Sequence, residues 1–354
     1  MSYEDGWAAI NLEMPPRVPR TEYSVETYHF ELIGAVTGMN VGSDSPPAEQ
    51  REATRRFMEA WGYDLSWATD IGGGEFGELK TDMGHAEYAA DGSDRRDTLH
   101  CPFETPEQVL DFDPVAALGT RPHEELVSFF EERYAAHRAA HPDCVNMTGI
   151  YVTCISGLID LFGWEMLLLA AGVDPQRFGE LTDRYCRWAQ HYFDALADAD
   201  VPVVMVHDDI VWTSGPFIHP DWYRRYVFPN YRRQFAPLVA AGKRILFTSD
   251  GNYTQFIDDI AECGVDGFVM EPATDMAYVA ENYGDTHVFV GNADTRVLLS
   301  GSRSAIRAEV ERCMDIGKGC PGFFMAVGNH IPANTPVDAC LYYNEVYEEL
   351  SSRG

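Results

Sequence analysis

An α/β barrel, with eight strands alternating with helices, is the fold class this sequence predicts, and three observations predict it. Short apolar runs of β-branched and aromatic residues recur along the chain, each followed by polar residues and then a helical stretch. The runs do not alternate polar with apolar, which suits strands buried on both faces of a parallel sheet. No internal repeat and no Gly/Ser or Pro linker divides the 354 residues, so residues 1–354 read as one (β/α)8 TIM barrel. At 45% hydrophobic and 23% charged, the chain can bury a large core and is not disordered.

In chain order, the first two strands are expected near Thr21–Val25 and Asp64–Ala68. The clearer ones follow at Val145–Tyr151, Val201–Val206, Arg244–Phe247, Gly267–Met270, His287–Val290 and Gly322–Val327. Between them, Asp174–Ala197 is long and amphipathic, with Pro175 suited to a first helical turn. Tyr253–Cys263 carries Phe256, Ile257, Ile260 and Cys263 at helical spacing, and Gly264 suits its end. Gly72–Pro114 fits no element. It is polar and aperiodic, and is expected to be an excursion over the barrel mouth, with Gly72-Gly73-Gly74 as a hinge. Those glycines are no phosphate cradle, since no Lys-Ser/Thr pair follows at the required spacing.

Charge excludes whole classes of partner. With 26 basic and 56 acidic residues the net charge is 26 − 56 = −30. Such a surface repels phosphate backbones and anionic lipid heads, so neither nucleic acid nor a membrane surface is an expected partner. The N-terminus lacks a basic region followed by an apolar run, and no apolar stretch approaching a membrane span is expected. The eight cysteines include no CxxC pair and read as reduced thiols of a cytoplasmic protein.

Chemistry in such barrels gathers at the C-terminal ends of the strands. Just past the runs lie Thr69 and Asp70, then Tyr151, then His207, Asp208 and Asp209. Thr248, Ser249 and Asp250 follow the fifth, Glu271 the sixth, Asn292 and Asp294 the seventh, and Asn329 and His330 the eighth. That is more polarity than packing demands, although Asp209, Asn252 or Asp294 would also serve as helix N-caps. Trp67, Trp212 and Phe217 lie beside these ends. They read first as packing residues, and second as the wall of an aromatic-lined mouth suited to a flat or a quaternary-amine ligand.

Several of these stretches are similar to motifs of the uroporphyrinogen decarboxylase superfamily. HDDIVWTSGPFIHPDWYRR (207–225) resembles its strand followed by a Gly-Pro turn and Pro-x-x-Tyr. ILFTSDGNYTQFIDDIAECGVDGF (245–268) resembles its fifth-strand motif, FVGNADT (289–295) its Gly-Asn motif, and GFFMAVGNHIPANTP (322–336) its eighth strand. WGYDLSWATD (61–70) fits the second. The resemblance implies a (β/α)8 barrel and two chemistries: decarboxylation of uroporphyrinogen, or methyl transfer among small donors, corrinoid proteins, coenzyme M and tetrahydrofolate.

Residues choose between these branches. The decarboxylases grip substrate carboxylates with an arginine-rich motif after the first strand. Here Arg17 and Arg20 precede that strand, and Glu22 and Glu26 stand within it. An eight-carboxylate tetrapyrrole would be repelled by acidic strand ends. The thiol-methylating branch binds zinc through His-x-Cys and a later Cys. The matching positions here are Thr248, Asp250 and Asn329, which excludes a thiolate-rich site.

The expectation is therefore a methyltransferase moving a methyl group from a small donor, a methoxylated aromatic or a methylamine, to the cobalamin of a corrinoid-binding protein. His207, Asp208, His330 and Tyr151 are its candidate catalytic residues, and His207 and His330 would protonate or coordinate the leaving atom. A harder zinc site of Asp250, Glu271 and His330 is a further expectation. The alternative acceptor is tetrahydrofolate, its pterin held by Asn292, Asp294 and Asp250, with Asp70 as a further cofactor-side residue. Decarboxylation, and a barrel that merely binds a corrinoid protein, are the remaining readings.

Overall fold

The computed structural model describes residues 1–23, 29–81 and 100–353. Its core is a parallel sheet in sequential order. The strands are β1 (Leu65–Ser66), β2 (Val145–Asn146), β3 (Thr148–Ile150), β4 (Val203–His207), β5 (Arg244–Ser249), β6 (Gly267–Met270), β7 (Val288–Ala293) and β8 (Phe323–Val327). β1 pairs with β2, and β3 to β8 pair in succession. β2 and β3 are two pieces of one expected strand, separated by Met147. Past β1 the chain still runs beside β3, with a parallel bridge between Ile71 and Ile150.

No regular strand forms at Thr21 or before it, and residues 24–28 of the expected first strand lie outside the described residues. The chain just upstream takes that place. Met325 N–H donates to Pro19 O (2.8 Å), Thr21 N–H donates to Met325 O (3.1 Å) and Asp64 N–H donates to Arg20 O (2.8 Å). Residues 19–21 thus join β8 to the strand that begins at Asp64, and the sheet closes into a (β/α)8 barrel.

The barrel interior is a separate apolar cluster that includes Leu65, Met147, Val203, Met205, Leu246, Val290 and Phe324. The helix Tyr3–Ile10 plugs its lower end: Ala9 and Ile10 belong to the same cluster, and Trp7 and Leu12 pack on it. The larger cluster fills the layer between strands and helices, where Val204, Val206 and Phe247 meet Phe178, Tyr185 and Tyr231. Successive residues of β4 therefore belong to opposite layers, as the pleat requires.

The expected helix at Asp174–Ala197 is Pro175–Asp198, capped by the Asp174 side chain. Tyr253–Cys263 is shorter than expected, a 3-10 turn at Thr254–Phe256 and a helix at Ile257–Ala261. One helix, Ser156–Val173, is long and apolar enough to cross a membrane by length and composition, although the sequence reading expected no such stretch. It is 61% buried inside the protein, which accounts for its apolar character. The excursion at 72–114 is described only at its ends. Gly73–Leu79 packs Phe76 on Tyr185 and Trp188, and Phe103 and Phe112 pack on Phe162, all against the helical layer. Residues 82–99 lie outside the described residues. A Cβ on Gly73 would sit 2.4 Å from Asp160 Oδ2, so close packing is what requires glycine there.

Where the barrel closes, a charged group is completely buried. Arg20 and Glu22 have no exposed surface and pair at 2.6 Å. Glu22 also accepts from Tyr343 Oη (3.0 Å) and Val327 N–H (2.9 Å), while the Arg20 guanidinium lies over Trp61 (4.7 Å) and Tyr347 (4.5 Å) and donates to Asn344. Arg17 pairs with buried Asp64 at 2.6 Å. Removing one partner of such a pair strands the other charge. Glu22→Ala is expected to lower unfolding free energy by roughly 3–5 kcal/mol, and the double change Arg20→Met with Glu22→Leu by much less. Urea denaturation of the three proteins reads this directly; equal losses would show the charge pair to be incidental.

Candidate active site

The pleat of β4 sets the centre of the mouth. Val203 and Met205 point into the barrel, so His207 and, one step past the strand, Asp209 point the same way, while Asp208 points outward. His207 Nε2 lies 3.0 Å from Asp209 Oδ1, and His207 Nδ1 lies 2.8 Å from Tyr23 Oη. Asp209 also accepts from Tyr151 Oη (2.8 Å, on Oδ2) and from the Asp250 backbone N–H (2.9 Å, on Oδ1). Further round, Glu271 accepts from Gly251 N–H (2.7 Å) and Asn329 Nδ2 (2.5 Å), and the Asn329 side chain also bonds Asp250. His330 packs edge-on to Tyr23, with ring centroids 5.5 Å apart.

Of these groups, Tyr23, Asp250 and Asn329 line a small cavity that opens at the strand ends. Tyr23, Trp67, Thr248, Asp250, Val290 and Asn329 are among its lining residues. The lining contains no lysine or arginine among the described residues.

Electrostatics divides the cluster into donors and acceptors. Burial works against a charged His207, but the Asp209 carboxylate outweighs it and raises the imidazole, holding it protonated. Asp209 is correspondingly held well below the usual carboxylate range: burial opposes this, and the His207 charge and hydrogen bond overcome it. Asp250 goes the other way, pushed up to about 8 by its protein surroundings and then by the charges of Asp209 and Glu271. Its side chain still meets solvent at the open mouth. His330 is lowered to about 4, first by burial and then by charged His207, so it is a neutral imidazole at pH 7. Tyr151 is raised far above an ordinary phenol by burial and by Asp209, and stays a hydrogen-bond donor.

Of the residues singled out by sequence, His207, Tyr151, Asp250, Glu271 and His330 gather at this mouth. The others do not. Asp208 is buried behind β4, where it accepts from Ser156 N–H (2.6 Å), Ile155 N–H (2.9 Å) and Tyr231 Oη (2.5 Å); it ties the start of the helix Ser156–Val173 to the sheet. Burial pushes its carboxyl up to about 6 against those bonds. Asn292 donates to Glu271 O (3.2 Å) and Thr274 O (3.1 Å), and its Oδ1 accepts from Arg312 (3.0 Å). Asp294 caps the helix Thr295–Leu299 and pairs with Arg296 at 2.7 Å. Asp70 pairs with Arg133 (2.9 Å) of the helix His123–Ala140. Trp212 and Phe217 pack with Trp164 at the rim, where Trp212 remains exposed.

The compact group of metal-capable atoms is also not Asp250, Glu271 and His330. It is His207, Asp209 and Asp250, whose ligand atoms all lie within 4.8 Å of one another. Such nitrogen and carboxylate donors suit a divalent ion. Each, however, is already engaged in the hydrogen bonds above, and a metal there would have to displace the His207–Asp209 bond. The occupied donor set reads as a proton-holding cluster.

The sequence places Asp209 and Asn329 at strand ends and Trp67 beside them without giving them catalytic or ligand roles, and it does not single out Tyr23. The signal for Asp209 was present, because a strand that points Val203 inward also points 207 and 209 inward. Nothing local marks Tyr23, whose place depends on how residues 19–21 close the barrel.

Comparison with known proteins agrees with this architecture. Residues 115–349, well over half of the chain, match the family model described as "Uroporphyrinogen decarboxylase (URO-D)". The chain belongs to the uroporphyrinogen decarboxylase family. Among curated relatives, the uroporphyrinogen decarboxylase of Thermus thermophilus is 30% identical over 161 residues, 46% of this chain and 45% of that one. That of Alkalilimnicola ehrlichii is 30% identical over 187 residues, 51% of this chain and 49% of that one. The chain thus spans about half the length of the curated relatives it matches. Among solved structures, a methyltransferase from Methanosarcina mazei shares the fold, with a TM-score of 0.67 at 18% identity over 97% of this chain and 96% of that one.

One consequence of this electrostatic arrangement can be measured without knowing the substrate. The Asp250 carboxyl holds its proton more tightly in the folded protein than at its ordinary value of 3.8. The stability contributed by that proton is complete below about pH 4 and is lost as pH rises through about 8. Asp250→Asn removes the ionisation. The variant is expected to gain on the parent in melting temperature as pH rises from about 4 to 8, a change that thermal melts would detect. Parallel pH curves for the two proteins would mean that Asp250 ionises normally.

Proposed function

We propose that this member of the family is a methyltransferase moving a methyl group from a small donor, a methoxylated aromatic or a methylamine, to the cobalamin of a corrinoid-binding partner protein. One observation carries the reading: the His207–Asp209 pair and Asp250 meet at the mouth, beside a cavity whose described lining offers no lysine or arginine to a carboxylate. Arg17 and Arg20, the basic residues nearest the position where the decarboxylases grip their substrate, are consumed by Asp64 and Glu22. Of the residues expected on the pterin side, Asn292, Asp294 and Asp70 are engaged elsewhere and only Asp250 lines the cavity, which leaves tetrahydrofolate little support.

The corrinoid supplies a cobalt(I) nucleophile, and everything else falls to this chain. Asp250 holds a proton at the mouth and donates it to the atom that loses its methyl group. Its raised value places it near the operating pH, where a general acid works best. Asp209 keeps His207 charged, and Tyr151 fixes Asp209 by a hydrogen bond. His207 and Asp209 thereby present a fixed dipole to charge developing on the leaving atom. His330, neutral, packs against Tyr23 and shapes the cavity, so it is not the leading proton donor. The cytoplasm, the compartment expected from the cysteines, suits this reading; all eight cysteines are free.

The test is anaerobic mixing with cob(I)alamin and a panel of methoxyaromatics, methylamines and methyl-tetrahydrofolate, followed by cobalamin absorbance. Turnover is expected with a methoxyaromatic or a methylamine, falling roughly 10²–10⁴-fold in Asp250→Asn. In the parent it should decline above about pH 8, as Asp250 loses its proton. Decarboxylation of uroporphyrinogen with no methyl transfer would overturn the proposal. Stoichiometric zinc in purified protein, lost together with activity in Asp209→Ala, would replace the proton-holding cluster with a metal site.

A further inference from the structure

Two hydrogen-bond donors in the cavity wall are unused. Thr248 lies in β5 and Trp67 just past β1, and both line the cavity. Thr248 Oγ1 and Trp67 Nε1 are buried and have no hydrogen-bond partner among the described residues. Buried polar groups are nearly always paired, and an exception at a cavity wall points to a missing partner. The indole N–H can only donate, a hydroxyl can donate, and the Asp250 carboxyl lines the same cavity.

We propose that Trp67 and Thr248 form a recognition pair for a ligand oxygen that carries no proton, so that the cavity selects neutral methyl ethers over methylammonium ions. An ammonium brings no lone pair and would leave Trp67 Nε1 unsatisfied. An ether oxygen offers lone pairs to the Trp67 N–H, the Thr248 hydroxyl and the Asp250 proton. The acidic surroundings do not reverse this choice. Ionised carboxylates favour a bound ammonium over the neutral amine it becomes on losing methyl, which raises the barrier rather than lowering it. An ether develops negative charge on oxygen as its methyl departs, which is the charge that a protonated Asp250 and charged His207 meet. In the reacting step the methyl carbon–oxygen bond breaks and its electron pair stays on oxygen. The Asp250 proton neutralises that oxygen, and the methyl group is taken by the cobalt(I) centre of the partner, which supplies the electron pair of the new bond. The chemical step rests on the methyl-transfer reading; the recognition pair does not.

Binding separates the two. Methoxybenzene, ethylbenzene and trimethylanilinium would be titrated into the purified chain by calorimetry, without any corrinoid. Methoxybenzene is expected to bind saturably. Ethylbenzene, which replaces the ether oxygen by a methylene, should bind about tenfold more weakly, the scale of one lost hydrogen bond. Trimethylanilinium should not compete. Thr248→Val and Trp67→Phe should each erase most of the preference for methoxybenzene over ethylbenzene. The ethylbenzene comparison needs no variant and holds even if one of them fails to fold. Tighter binding of trimethylanilinium, equal binding of methoxybenzene and ethylbenzene, or an unchanged preference in both folded variants would overturn the pair. Ether binding without methyl transfer would count against the proposed reaction and leave the recognition pair standing.

Discussion

A parallel strand buried on both faces sends successive side chains to opposite sides of the sheet, and the site of this protein depends on that constraint. In β4 and the residue pair beyond it, the rule sends His207 and Asp209 into the mouth and Asp208 into the layer behind. A one-residue slip would exchange them, placing Asp208 in the cavity and burying the imidazole against Tyr231. The same step separates Leu246 and Thr248, on the inner face of β5, from Phe247 in the outer layer.

Three carboxyls crowd the mouth, and the protein resolves them without a lysine or arginine among the described residues. Asp209 takes the charge of His207 and the hydrogen bonds of Tyr151 and the Asp250 backbone, so it is the carboxylate that stays ionised. Glu271 is held by Gly251 and Asn329. Asp250, between them, accommodates the repulsion by keeping a proton. Carboxyls pushed apart in this way, one ionised and one protonated, are the usual sign of divided acid and base roles.

At the lower end and along the seam the chain spends charge differently. Arg20 and Glu22 are buried together where residues 19–21 join β8 to the strand starting at Asp64. The basic residues that could have met an anionic substrate thus hold the barrel shut instead. The residues that complete the sheet are thus kept from the mouth, whose described lining holds no lysine or arginine.

The sequence by itself determined the barrel, because the unalternating apolar runs at 145–151, 201–206, 244–247, 267–270, 287–290 and 322–327 can be buried only on both faces of a parallel sheet. It also determined that polar residues crowd the strand ends. It could not decide which of them share a cavity. Asp208 and Asp209 are the same residue type side by side, and only the pleat tells them apart. Asn292 and Asp70 have the look of ligand-binding residues, but folding brings Arg312 and Arg133 to them from 20 and 63 residues away, while Asp294 is taken by its near neighbour Arg296. Tyr23, Trp67 and Asn329 meet His207, Asp250 and Glu271 across separations of scores to hundreds of residues. Such contacts come from closing the barrel, and no local pattern encodes them.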